Sequence, residues 1–238
     1  MLSVVIITKN SQKYIKEVIT SASFANEVLI LDSGSEDNTC NIAKELGTRV
    51  EYQEWLGFGR QKQKAVDLAK NEWVFVLDSD EIITTNLQKE IINTLKNPKY
   101  DAYYTPRLNN FFGKWIRYSG LYPDYSIRLF SKKKCRFNQK EVHESVECKG
   151  KVGYLKNHLK HYAYESIEEF INKQNYYSTL GAKPNKIKAI FAPFWSFFKL
   201  FVIKRGFLDG WEGFIIAKLY SQYTFWKYIK AKNENISN

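Results

Sequence analysis

The chain has 238 residues, 44% of them hydrophobic, with 36 Lys and Arg against 25 Asp and Glu, a formal charge of +11. That length holds one large domain, or one domain with a small appendage. No run approaches the ~20 apolar residues that span a bilayer, and the positive surplus favours phosphates, nucleic acid or an anionic membrane surface as partners. The N-terminus runs directly into an apolar stretch with no basic region before it, so no secretory signal is expected. Cys40, Cys135 and Cys148 are odd in number and form no Cys-x-x-Cys pair. They signal neither zinc nor a disulfide framework, and a reduced, intracellular setting fits.

In chain order, residues 2–7 read as a buried strand and 11–22 as a helix. Residues 28–31 form a second strand ending at Asp32. The turn Ser33-Gly34-Ser35-Glu36-Asp37-Asn38 starts a helix through Leu46, with Gly47 as its stop. Residues 49–53 are a short third strand. Gly57-Phe58-Gly59 opens a helix over 60–70, and Trp73-Val74-Phe75-Val76-Leu77 is a strand apolar enough to be buried on both faces. Strand and helix alternating in this order predict an α/β fold with a mostly parallel sheet. A helix over 85–96 follows, then strands over 101–106, 125–130 and 152–155. Ser166 and Glu169 have capping-box spacing for a helix to Leu180. From Pro184 the composition shifts again.

The fourth strand runs into Asp78-Ser79-Asp80-Glu81. Clustered carboxylates beyond a buried strand suit a divalent cation that itself grips a phosphate, and ligands of open α/β sheets sit beyond strand C-termini. The alternative is that Asp80 or Glu81 favours the start of the next helix, where Thr85 and Gln88 have capping-box spacing. Thr8 and Asn10 after the first strand can hydrogen-bond a base or ribose, and Asp32 can accept from a uracil imide. Equally, Asp and Ser are good turn residues and N-caps. Gly57-x-Gly59-Arg60-Gln61-Lys62-Gln63-Lys64 could hold a diphosphate at a helix start, or be a solvated basic face. It is not a Walker loop.

Taken together, Leu31-Asp32-Ser33-Gly34-Ser35-x-Asp37-x-Thr39, Leu77-Asp78-Ser79-Asp80-Glu81, Trp55-x-Gly57-x-Gly59-x-Gln61-Lys62, Ser119-Gly120-x-x-Pro123-Asp124, Arg128-Leu129-Phe130, Val142-His143-Glu144, His161-Tyr162 and Arg205-Gly206-Phe207-Leu208-Asp209-Gly210 resemble family-2 glycosyltransferases of the GT-A fold. The resemblance extends to the bacterial lipopolysaccharide core β-1,4-glucosyltransferase branch. It implies a Rossmann-like catalytic domain over 1–165 (a nucleotide-sugar half over 1–100, an acceptor half over 101–165) and a C-terminal helical extension over 166–238. It implies an inverting, metal-dependent transfer of glucose from UDP-glucose to a heptose of the lipopolysaccharide or lipooligosaccharide inner core. In that scheme Thr8, Asn10, Asp32, Lys62 and Asp78 bind the donor. Asp80, Asp78 and His161 serve Mg²⁺ or Mn²⁺, and Glu144 is the base, with Asp124 in reserve. The sequence departs from the family where Ile7-Thr8-Lys9-Asn10 replaces Pro-Thr-Tyr-Asn, where Ser33 replaces a second Asp, and where His-Glu stands for Glu-Asp at the base. Read from the residues alone, Glu144 could instead be an exposed strand carboxylate near Glu141 and Glu147, and a histidine at 158 or 161 a satisfied core residue. A nucleotidyltransferase of similar fold, or a non-catalytic basic module, are the rival readings.

The tail interleaves lysines with aromatics such as Phe191, Phe194, Trp195, Phe198 and Trp211. Basic helices of this kind lie in the membrane interface rather than crossing it, although some of these aromatics must pack on the core. No nucleic-acid motif is recognisable. The expected location is cytoplasmic, peripheral on the inner membrane.

Overall fold

A computed structural model describes residues 1–138 and 144–230. The elements in order are β1 (Leu2–Thr8), α1 (Ile15–Ala22), β2 (Glu27–Asp32), α2 (Thr39–Glu45), β3 (Arg49–Tyr52), α3 (Phe58–Leu68), β4 (Trp73–Asp78), β5 (Glu81–Ile83), α4 (Thr85–Lys96), β6 (Ala102–Phe111), β7 (Lys114–Trp115), β8 (Asp124–Ser131), β9 (Cys135–Phe137), β10 (Val146–Cys148), β11 (Val152–Tyr154), β12 (Leu159–Tyr164), α5 (Ile167–Leu180), α6 (Lys186–Phe198) and α7 (Gly210–Ile229). A π turn (Lys199–Ile203) and a 3-10 turn (Gly206–Asp209) lie between the last two helices. The chain folds as two compact units. The first comprises Met1–Arg107 and Asp124–His161; the second comprises Leu108–Pro123 and the chain from Tyr162 onward.

The main sheet has the order β3-β2-β1-β4-β8-β6-β12-β5. The four strands read from the first 78 residues pair in parallel; β8 then joins β4 antiparallel, as β6 joins β8. Successive side chains of a strand face opposite ways, which explains two separate apolar layers in the first unit. Val4, Ile6, Phe75 and Leu77 pack with Ile15, Val18, Leu87 and Ile91 of α1 and α4. Val5, Ile7, Val74 and Val76 pack with Ala65 and Val66 of α3. Two buried faces are why these strands read as unbroken hydrophobic runs.

Two local expectations are corrected. The N-cap of α4 is Thr84 rather than Thr85, and Gln88 donates instead to the Ser21 carbonyl oxygen at 2.8 Å. Cys135 and Cys148 stand opposite each other in the β9–β10 register and form a disulfide; sequence spacing carried no sign of it because the pairing depends on a two-stranded ribbon too short to recognise. The expected helix cap at Ser166 is present, accepting from the Glu169 N–H at 3.1 Å.

In the second unit, Phe111, Ile116, Phe170 and Ile216 form a core of their own. Asp209, nearly fully buried, accepts the backbone N–H groups of Arg117 (3.0 Å) and Tyr118 (2.9 Å). Gly213 sits where a Cβ would lie 2.0 Å from the Gly206 carbonyl oxygen, so only glycine lets the start of α7 approach the preceding turn. Among the described residues, no helix is long and apolar enough to cross a membrane.

Candidate active site

The parallel strands deliver their C-terminal residues to one edge of the first unit. Thr8 is opposite Asp32 and Ile7 opposite Asp78, so β2, β1 and β4 set Asp32, Thr8 and Asp78 side by side. From β1 the chain winds to one side for β2 and β3 and to the other for β4. That reversal is where open α/β sheets form a ligand crevice.

On the β2 side Asp32 is buried and carries four hydrogen bonds. Its Oδ2 accepts the N–H groups of Gly34 (2.9 Å) and Ser35 (2.8 Å), and its Oδ1 accepts the hydroxyls of Ser35 (2.5 Å) and Thr8 (3.0 Å). Burial alone would raise the Asp32 carboxyl; these donors, Ser35 foremost, outweigh it and hold the group below its ordinary value. Both oxygens are engaged by the chain itself, so Asp32 and Thr8 shape the loop. Asn10, at φ 51°, extends the same lacing: its Oδ1 accepts the Glu36 N–H at 2.9 Å, and its N–H reaches Ser35 Oγ at 2.8 Å. Ser11 Oγ lies 2.9 Å from Ser79 Oγ, tying this rim to the turn between Asp78 and Asp80.

On the β4 side the site is ionic. Of the three basic residues at the start of α3, Arg60 and Lys64 are exposed and only Lys62 is buried. Gly57, at φ +88°, precedes the helix in a conformation that side chains disfavour. Lys62 Nζ sits 2.9 Å from Asp78 Oδ1 and 3.3 Å from Glu144 Oε1. The other Asp78 oxygen accepts from Arg128 Nη2 at 2.8 Å, and that same nitrogen donates to Glu81 Oε1 at 2.5 Å. Arg107 pairs with Asp124 at 2.5 Å across the β6–β8 register and lies 3.6 Å from Glu81. Burial would push the Asp78 carboxyl up, but the charges of Arg128 and Lys62 hold it well below the usual carboxylate range. For Arg128 burial acts downward and is overcome by Asp78 and Glu81, so the guanidinium stays charged. Lys62, Asp78, Arg107, Tyr125, Arg128 and Glu144 line a cavity of about 320 Å³. An open hollow of about 620 Å³ beside α4 and Tyr100 contains none of the residues singled out from sequence.

Asp80 and His161 meet at the end of β5. His161 is the register partner of Glu81, and its Nε2 lies 3.5 Å from Asp80 Oδ2. Among the described residues no group of three His, Cys, Asp or Glu surrounds a common point. The pair nevertheless fits a cation that takes one carboxylate and one imidazole and completes its shell with diphosphate oxygens and water, as Mg²⁺ and Mn²⁺ do. Asp78 is less suited to direct ligation, because both of its oxygens already hold cations.

The structure thus brings Lys62, Asp78 and Glu144 together, pairs Asp80 with His161, and sets Thr8, Asn10 and Asp32 in the adjoining rim. Asp124 is turned to Arg107 instead. His143 lies outside the described residues. Sequence reasoning assigned no role to Arg128 or Arg107. Arg128 did carry a signal: a lone arginine within Ile127-Arg128-Leu129-Phe130 is a cation in an apolar strand, which needs acidic partners. Gln61 was passed over as well; wholly buried, it donates to Ser33 Oγ at 3.0 Å.

Comparison with known proteins gives this geometry a lineage. Residues 3–163 match the family described as Glycosyl transferase family 2. An uncharacterized glycosyltransferase of Rickettsia bellii is 32% identical over 253 residues, covering 97% of this chain and 86% of the relative. The lipopolysaccharide core biosynthesis glycosyltransferase LpsC of Rhizobium meliloti is 28% identical over 240 residues, covering 94% and 89%. Among solved structures, S. aureus TarS 1-349 in complex with UDP-GlcNAc superposes with a TM-score of 0.51 at 18% identity, covering 91% of this chain and 79% of that one, a likeness of fold. The chain is a glycosyltransferase and belongs to glycosyl transferase family 2.

Proposed function

We propose that the enzyme inverts configuration, depends on a divalent metal, and moves glucose from UDP-glucose to a heptose of a lipid-anchored lipopolysaccharide or lipooligosaccharide inner core, at the cytoplasmic face of the inner membrane. The observation that carries this reading is Lys62, held at 2.9 Å from Asp78 and 3.3 Å from Glu144 beside a cavity of about 320 Å³. One cation there touches both a residue of the donor crevice and the candidate base. The likeness to LpsC, named for lipopolysaccharide core biosynthesis, supports the acceptor class.

In this scheme Glu144 removes the proton of the acceptor hydroxyl as that oxygen attacks the anomeric carbon. Attack comes from the face opposite the diphosphate, so the new glycosidic bond forms as the bond to UDP breaks and its electron pair leaves with the phosphate. Lys62 sets a positive charge beside the departing diphosphate. Arg128 fixes Asp78 from behind, which in turn fixes Lys62. Asp32, Thr8 and Asn10 shape the loop that receives the nucleoside. A Mg²⁺ or Mn²⁺ held by Asp80 and His161 supplies, when bound, Lewis-acid stabilisation of the diphosphate charge.

The test is a UDP-release screen across UDP-sugars with Mn²⁺, with and without truncated core oligosaccharide. UDP release from UDP-glucose that rises with heptose-containing acceptor is the expected result. Release that ignores the acceptor, or that is faster with another UDP-sugar, overturns the assignment of acceptor or donor respectively.

A further inference from the structure

We propose that the outward face of α6 and the turns that follow it dock on an anionic lipid bilayer, with Phe194 and Trp195 at the centre of the contact. This rests on the membrane-surface part of the reading above and assigns it to a defined set of residues. The observation is a helix whose amphipathicity is inverted. Along α6 the exposed apolar positions are Ile187, Ile190, Phe191, Phe194, Trp195 and Phe198, spaced by three and four as one helical stripe. Its sheltered positions are small, Ala189, Ala192, Pro193 and Ser196, apart from Phe197, whose ring meets that of Phe214 on α7. This smaller face turns to α7, where Ser221 Oγ donates to the Pro193 carbonyl oxygen at 2.9 Å. A helix that served only its own fold would bury the phenylalanines and tryptophan and expose the alanines and serine. Past the helix, Leu208 and Trp211 are exposed as well.

Charge decides the occupant. Residues 183–208 carry Lys183, Lys186, Lys188, Lys199, Lys204 and Arg205 and no acidic residue. The next two acids are already engaged: Asp209 caps the amides of Arg117 and Tyr118, and Glu212 pairs with Lys114 at 3.0 Å. Nothing in this stretch offsets its positive charge. A second copy docking face to face would oppose like-charged rows, whereas an anionic leaflet attracts both the lysines and the stripe between them. Geometry sets the depth. Thirteen residues of α6 measure about 20 Å along the axis, short of a hydrocarbon core of ~30 Å. The helix therefore lies in the interface plane.

Co-sedimentation of the full chain with vesicles tests this. Vesicles of phosphatidylglycerol mixed with phosphatidylcholine should bind it, pure phosphatidylcholine should bind it weakly, and added salt should release it. The double substitution Phe194→Ser with Trp195→Ser alters two side chains that are 74% and 58% exposed, so circular dichroism should not change. Its partition onto the anionic vesicles should fall roughly tenfold or more. Unchanged partition of the double variant, equal binding to neutral vesicles, or a stable dimer that the double substitution abolishes would each overturn the proposal. Calorimetry of UDP binding and the UDP-release assay, run in parallel, separate the two readings: lost vesicle binding with UDP binding kept bears on this face alone, and absent UDP release with vesicle binding kept bears on the transfer reaction alone.

Discussion

Replacing Arg128 with methionine removes the cation that bridges Asp78 and Glu81. Glu81 is fully buried and the Arg128 side chain is 5% exposed, so the abandoned Glu81 carboxylate is poorly hydrated. Loss of one partner from a buried ion pair costs about 3–5 kcal/mol. Two cations remain nearby, Lys62 at 2.9 Å from Asp78 and Arg107 at 3.6 Å from Glu81, which places the expected loss near the lower bound, about 3 kcal/mol. For a chain of this size each kcal/mol lowers the melting temperature by ~2–4 °C, so a fall of roughly 6–12 °C is expected. Urea unfolding at pH 7 with thermal melts measures it. Adding Glu81→Gln to Arg128→Met neutralises the abandoned carboxylate, so the double variant should be more stable than the single one. A single variant within about 1 kcal/mol of the parent, or losses that merely add in the double variant, would refute the claim that Arg128 holds the two carboxylates together.

Glu144→Gln should lower turnover by about 10²–10⁴-fold, the range of general-base help, while UDP binding by calorimetry stays near the parent value. Asp80→Ala and His161→Ala should each remove the difference in UDP affinity between Mn²⁺ and EDTA, since on the proposed reading these two residues, 3.5 Å apart, would hold the metal together. The Asp78 carboxyl lies well below its ordinary value in the folded chain. Its stabilising contribution is therefore complete above the unfolded carboxyl's range and is lost as pH falls toward the folded one. Asp78→Asn should be clearly less stable than the parent at pH 7, with the gap narrowing below about pH 4; unfolding curves across that range measure it.

The half of the fold that sequence made legible is the half in which each element is decided locally. The strands β1, β2 and β4 are apolar runs ended by turn residues, and their boundaries match the expected ones within a residue or two. Where an element exists only because of a distant partner, local pattern says little. The strand β5 is three residues long, begins with a buried acid, and forms by pairing with β12 about 80 positions later. The same holds within the site. The family resemblance put Lys62 and Asp78 in one donor site, but nothing in the local pattern showed that Arg128 arrives from β8 to hold the other Asp78 oxygen. Asp32 was legible both as a base reader and as a turn residue; its four hydrogen bonds show the turn residue at work.

Asp209 has a consequence for how the molecule may be cut. It reaches back over 90 positions to cap the backbone at 117–118, while Phe170 and Ile216 supply half of the core under Phe111 and Ile116. One body is thus woven from two separated lengths of polypeptide. A stop codon placed ahead of α5 would strip the earlier length of its caps and its apolar cover, leaving bare amides and phenyl rings in water. Gene surgery, whether by an experimenter or by evolution, has to keep both lengths or discard both.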